Sequence, residues 1–178
     1  MTKRWLTMLG ILAAIAAVVW ISLPESPANI GKGNQAVDFA LPDLSGKTHQ
    51  LPTTGEMVLL NFWATWCPPC RKEMPSMVKL HNRLAERGLK VVAISVDRNR
   101  NDLEGFVREY NLPFQVLHDA DGSVSRQYGV FRYPETFLID RQGKVRYHLI
   151  GAVDWLSASV LQKIEGMLNE PRSAEQSG

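Results

Sequence analysis

Residues 57–70 read MVLLNFWATWCPPC, and the order of side chains within them decides the fold. Met57 to Phe62 is a nearly continuous apolar run, the pattern of a strand buried on both faces. Pro68 stands where a helix would begin, a position at which its missing amide proton costs nothing. The helix this predicts runs from about Pro68 to Arg87 and is stopped by Gly88. Cys67 therefore falls at a helix N-terminus, where unsatisfied amides and the macrodipole stabilise a thiolate, and Arg71 adds positive charge nearby. Cys70 lies one turn later on the same face, placed to attack a mixed disulfide formed by Cys67.

The chain has 178 residues and two cysteines, this pair. A secreted domain stapled by disulfides would carry more pairs at wider spacing. Bridging positions three apart closes almost no loop, so it removes little entropy from the unfolded chain. The pair is a poor staple and calls for a chemical role. Half of a zinc site would need two further ligands, and the histidines at 49, 81, 118 and 148 are scattered without a matching pair. A peroxidase would rest on a single reactive cysteine, whereas a close dithiol suits disulfide exchange.

Working outward, strands and helices alternate. Val37 to Leu41 and Lys47 to Leu51 flank a Pro42–Gly46 turn and predict a hairpin. Val91 to Val96 reads as a second buried strand, Asn101 to Tyr110 as a helix, and Phe114 to Leu117 as a short strand. Thr136 to Ile139 and Val145 to Ile150 close a hairpin around Gln142-Gly143, and Val153 to Leu168 is a final amphipathic helix. This order implies an α/β domain, residues 36–170, with a mixed sheet and helices on both faces.

Lys3 and Arg4 precede an uncharged apolar run from Trp5 to Leu23, which as a helix spans about 27 Å, close to the roughly 30 Å hydrocarbon core. Residues 1–23 are therefore expected to be an uncleaved single-pass anchor with a cytoplasmic N-terminus, leaving the rest outside. A cleaved signal peptide is the alternative, with Ser26-Pro27-Ala28 as its small residues, although the run exceeds the roughly 7–15 apolar residues of such signals. Residues 24–35, rich in Pro, Gly and small polar side chains, read as a linker, and residues 171–178 as a polar tail. Apolar residues make up 45% of the chain, enough for one core, and the net charge is +2. No basic stripe with interleaved aromatics supports nucleic-acid binding.

NFWATWCPPCRKEMP, Tyr133-Pro134-Glu135-Thr136-Phe137-Leu138-Ile139-Asp140 and the Val91–Leu117 region together resemble the thioredoxin superfamily, and within it the membrane-anchored TlpA/ResA/CcmG group. The resemblance implies a thioredoxin fold with an N-terminal β-hairpin extension and an inserted β-α element. It implies an extracytoplasmic (periplasmic) thiol–disulfide oxidoreductase on the cytoplasmic membrane, working through a redox-active Cys67–Cys70 disulfide with no other cofactor. Its partners would be client protein disulfides or thiols, such as apocytochrome c or its maturation factors, and a membrane electron donor. Pro134 would be the group's cis-proline, with a trans proline opening an edge strand as the plainer reading. Trp66, Pro68, Pro69, Tyr133 and Pro134 would frame the surface that meets the client.

Two departures from the pattern matter. Where ordinary thioredoxins carry a buried aspartate below the cysteines, this chain has Asn61. Glu73 stands where the group has its substitute carboxyl, and is otherwise an ordinary solvated helix residue. Arg132 and Tyr133 precede Pro134 where the CcmG branch has small residues. Pro68 and Pro69 lack amide protons that would stabilise a Cys67 thiolate, which favours a reductant over a strong oxidant. A disulfide oxidase using the same pair, and a tethered soft-metal-binding or chaperone module, are the competing functions.

Overall fold

The computed structural model describes residues 30–51 and 55–171, together with the helical positions 5, 8, 11–13 and 15. The proposed anchor and the polar tail lie largely outside the described residues. No helix among the described residues is long and apolar enough to cross a membrane.

The elements in order are β1 (Phe39–Pro42), β2 (Thr48–Leu51), β3 (Met57–Trp63), α1 (Pro68–Leu84), β4 (Leu89–Ser95), α2 (Arg100–Glu109), β5 (Gln115–His118), α3 (Ser123–Gln127), β6 (Glu135–Ile139), β7 (Val145–Ile150) and α4 (Ala158–Leu168). The central sheet has the order β5-β4-β3-β6-β7. β3 is parallel to β4 and antiparallel to β6, so the expected mixed sheet is present, with β3, the strand that leads into the cysteine pair, in its middle. The β1–β2 hairpin sits at the β5 edge, where Asp43 bridges Leu117.

All seven residues of β3 are buried, and their alternation divides the core. Met57, Leu59 and Trp63 pack with α1, α2 and α4 side chains such as Met74, Met77, Phe106 and Ile164. Val58, Leu60 and Phe62 point the other way, against Phe39 and Leu41 of the hairpin, Val124 of α3 and Tyr128. The second face is thus covered by a hairpin and a one-turn helix. Helices on both faces hold in this reduced form, since α3 spans five residues and is too short to show helical periodicity in sequence.

Two boundaries differ from the sequence reading. Ile30, assigned to the linker, is buried in the second core, while the Gly33 amide donates to the Val145 carbonyl and that of Val145 to Asn34. The folded domain therefore starts by residue 30, because one large aliphatic side chain and an added backbone pairing outweigh local polarity. The last helix begins at Ala158, with Ser157 as its N-cap residue, and residues 153–157 form a loop. Asp154 accepts the Leu156 amide and so competes with helix there.

Candidate active site

Cys67 is the N-cap residue of α1, with extended backbone, and its Sγ accepts the Cys70 amide at 3.3 Å. Pro68 and Pro69 fill the first two helical positions, so Cys70 offers the first free amide of the turn, and it points at the sulfur. The two cysteines form a disulfide, with Cα atoms 5.3 Å apart. Cys70 is fully buried and Cys67 is 4% exposed. Cys67 is thus the more accessible sulfur, but by a narrow margin.

What narrows it is the segment before β6. The Tyr133–Pro134 peptide bond is cis, as the resemblance implies. The Tyr133 carbonyl oxygen lies 3.5 Å from Cys67 Sγ. The Tyr133 ring meets Trp66 edge-on, with centroids 6.0 Å apart. Trp66 is 62% exposed, Pro68 and Pro69 are open to solvent, and Phe131, two positions before Tyr133, is 74% exposed. The structure therefore brings Trp66, Pro68, Pro69, Tyr133 and Pro134 together around Cys67, with an apolar rim.

Glu73 is not a solvated helix residue: it is 2% exposed. Its Oε1 accepts from Asn61 Nδ2 at 2.9 Å and its Oε2 from the Val153 amide at 3.0 Å. Burial pushes its carboxyl up to about 7, while the Val153 amide and the Asn61 side chain pull the other way. A buried carboxyl one turn beyond Cys70, titrating near neutrality, is equipped to accept or deliver the proton that accompanies disulfide exchange.

Three further residues shape the site beyond those the sequence assigns to it. Asp97, 2% exposed, accepts the Thr65 amide at 3.0 Å, the Thr65 hydroxyl at 2.7 Å and the Ser95 hydroxyl at 2.7 Å, pinning the loop that carries Trp66. Glu135, 4% exposed, accepts the amides of Phe131 and Arg132 at 3.3 and 3.1 Å and pairs with His148 at 2.7 Å. Thr136 meets Asn61 across the β3–β6 register. The signal for Glu135 was a carboxylate directly ahead of an apolar strand. Thr136 reads only as the start of a strand, and Asp97 gives no signal.

Arg71 is held over the Phe106 and Tyr110 rings of the α2 region, at 5.1 and 5.6 Å, and donates to the Thr65 carbonyl. It ties the inserted β-α element to the active-site helix. Of the histidines, His49 pairs with Asp43, His118 contacts the Asp97 carbonyl, His148 pairs with Glu135, and His81 lies against Phe114.

A thioredoxin-fold domain with a disulfide at a helix N-terminus, facing a cis-proline, defines a thiol–disulfide oxidoreductase. The chain belongs to the AhpC/TSA family, whose model matches residues 32–148. It is 34% identical over 154 residues to the thiol-disulfide oxidoreductase ResA of Geobacillus thermodenitrificans, covering 86% of this chain and 88% of that protein. It is 36% identical over 160 residues to the thioredoxin-like protein YneN of Bacillus subtilis, covering 86% of this chain and 93% of that protein. Among solved structures, a thiol:disulfide interchange protein DsbE assigned in Chlorobium tepidum superposes with a TM-score of 0.74 at 37% identity, covering 79% of this chain and 99% of that chain.

Proposed function

We propose that this oxidoreductase is a reductant of client protein disulfides, tethered to the cytoplasmic membrane with its thioredoxin-like domain on the extracytoplasmic side. The observation that carries the reading is the placement of Cys67 at the α1 N-terminus, under the Tyr133 carbonyl and next to the exposed Trp66 ring that meets Tyr133. In the dithiol form, the Cys67 thiolate attacks one client sulfur and the other leaves as a thiolate, which takes up a proton. Cys70, deprotonated, then attacks Cys67 Sγ in the mixed disulfide. The client leaves with two thiols, and the Cys67–Cys70 disulfide carries away the oxidation. Glu73 accepts the Cys70 proton in the second step. A dithiol electron donor in the membrane returns the pair to its reduced form.

The resemblance to the TlpA/ResA/CcmG group supports apocytochrome c, or a maturation factor that handles it, as the client. The likeness to ResA and DsbE proteins supports the same class. For the tether, the support is the uncharged run from Trp5 to Leu23 and the helical, outward-facing Trp5, Met8, Ile11, Leu12 and Ile15.

Trapping tests the reading directly. Cys70→Ser should accumulate covalent adducts with the client that dissolve in excess reductant, and Cys67→Ser should capture nothing. Adducts formed by Cys67→Ser alone would reverse the two roles. A reduction potential as high as that of the strong oxidants would turn the reading into an oxidase.

A further inference from the structure

Asn61 occupies the centre of β3 with no exposed surface, in the helix-facing row that also holds Met57, Leu59 and Trp63. A primary amide in that row is costly, the more so because its Oδ1 has no hydrogen-bond partner among the described residues. Both of its N–H groups are used: Nδ2 donates to Glu73 Oε1 at 2.9 Å and to Thr136 Oγ1 at 2.9 Å. Thr136 is the residue directly opposite in β6, two positions after Pro134. The amide's direction is therefore set by the cis-proline strand, and the carboxyl's direction by the amide. Oε2 is fixed independently by the Val153 amide from the loop before α4. Two donors from separate elements thus hold one carboxyl, and Thr136 of a third element fixes one of those donors by accepting from it.

We propose that Asn61 and Thr136 are a positioning pair that holds Glu73 in one orientation and keeps it the single titrating group beneath the cysteines. This rests on the reading of Glu73 as the proton carrier of the exchange. The physical reason lies in what other side chains would do at position 61. A carboxyl there, at hydrogen-bond distance from Glu73, would share one proton with it, and the two would titrate as a coupled pair with widely split steps. An aliphatic side chain would leave Oε1 without a donor and disfavour the anion. A neutral donor anchored by Thr136 avoids both.

The remaining charged groups around Glu73 are solvent-exposed. Lys72 from α1 and Asp154 from the loop border a cleft of ≈ 430 Å³ that Glu73, Ser76, Ala152 and Val153 also line. They are opposite in sign and screened by solvent, and β3 and β6 present Asn61 and Thr136, which do not titrate. The Cys67–Cys70 disulfide does not titrate either.

The test is a side-chain carboxyl titration of Glu73 by ¹³C NMR on the full chain in detergent in its disulfide form, the signal assigned by its loss in Glu73→Gln. Asn61→Leu should raise the Glu73 midpoint by about one to two pH units, the value of a lost hydrogen bond to a charged group. Thr136→Val, which keeps the β-branched shape, should raise it less. Asn61→Asp should replace the single step by two. Unchanged midpoints in Asn61→Leu and Thr136→Val would overturn the pairing. If Asn61→Leu does not fold, Thr136→Val decides alone. The titration needs no turnover, so it separates the two readings. A shifted midpoint with an unshifted pH–rate profile for protein disulfide reduction would leave the positioning pair standing and remove Glu73 from the proton path.

Discussion

The Val153 backbone amide donates to Glu73 Oε2 at 3.0 Å, joining a loop and a helix that lie 80 positions apart in sequence. With Asn61 on the other oxygen, the carboxyl is held by donors while buried among apolar side chains. Burial outweighs the donors, because two hydrogen bonds replace only part of the hydration a carboxylate loses.

Stability should depend on pH through this group. Its folded value of about 7 lies above the ordinary 4.5, so its contribution is fully present below 4.5 and is lost as pH rises through 7. Glu73→Gln has no such loss. Denaturant unfolding of both proteins should show the wild type losing up to about 3 kcal/mol relative to the variant between pH 4.5 and 7. A difference independent of pH would contradict the burial of the charge. The variant should also slow disulfide exchange and flatten its pH–rate profile near neutrality.

Asp97 is the anchor of the Thr65–Trp66 turn, and its removal orphans the Thr65 amide and two hydroxyls. Asp97→Ala should destabilise the domain by roughly 2–3 kcal/mol. It should also lower the exchange rate by letting Trp66 and Cys67 move. Asp97→Asn, which keeps an acceptor for the amide, should recover part of both. Unfolding curves and exchange kinetics measured together check this. Equal losses in the two variants would mean the charge, and not the acceptor geometry, holds the turn.

Glu135 fixes the segment before Pro134 from below, accepting two consecutive amides while His148, stacked on Phe137 with centroids 4.2 Å apart, holds its other oxygen. Glu135→Ala should leave the Phe131 and Arg132 amides unpaired and faster to exchange with deuterium. It should raise KM for a protein disulfide more than it lowers kcat, because the rim around Cys67 is loosened while the sulfurs stay in place. Unaltered protection at residues 131–132 would show that the loop is held by other contacts.

Topology can be read by fractionation and labelling. With residues 1–23 as an anchor, the chain should remain with the membrane after alkaline washing, and after reduction a membrane-impermeant thiol reagent should reach Cys67 from the extracytoplasmic side. Full recovery as a soluble, N-terminally shortened protein would favour a cleaved signal.

The residues around the cysteines were legible because their chemistry is local. An apolar run followed by Cys-Pro-Pro-Cys states a buried strand, a helix start and a dithiol within fourteen positions. The hairpins are also short-range patterns, whereas the cis form of Pro134 follows from the resemblance alone. The final helix starts later than its sequence predicts because Val153 to Ser157 carry apolar spacing compatible with a helix, while the Val153 amide is drawn to Glu73. The residues Ile30–Gln35 were read as linker because backbone pairing with Val145 leaves no trace in composition.

By itself, then, the sequence determined the reactive pair, its place at a strand-to-helix junction and the order of elements, all encoded in neighbouring side chains and their periodicity. The tertiary structure decided what Glu73 is. A helical glutamate is a solvated surface residue or a buried carboxyl held by donors according to which partners the sheet register and the distant loop deliver to it. Those partners, Asn61 opposite Thr136 and the Val153 amide, are brought together only when β3, β6 and the segment before α4 pack against α1.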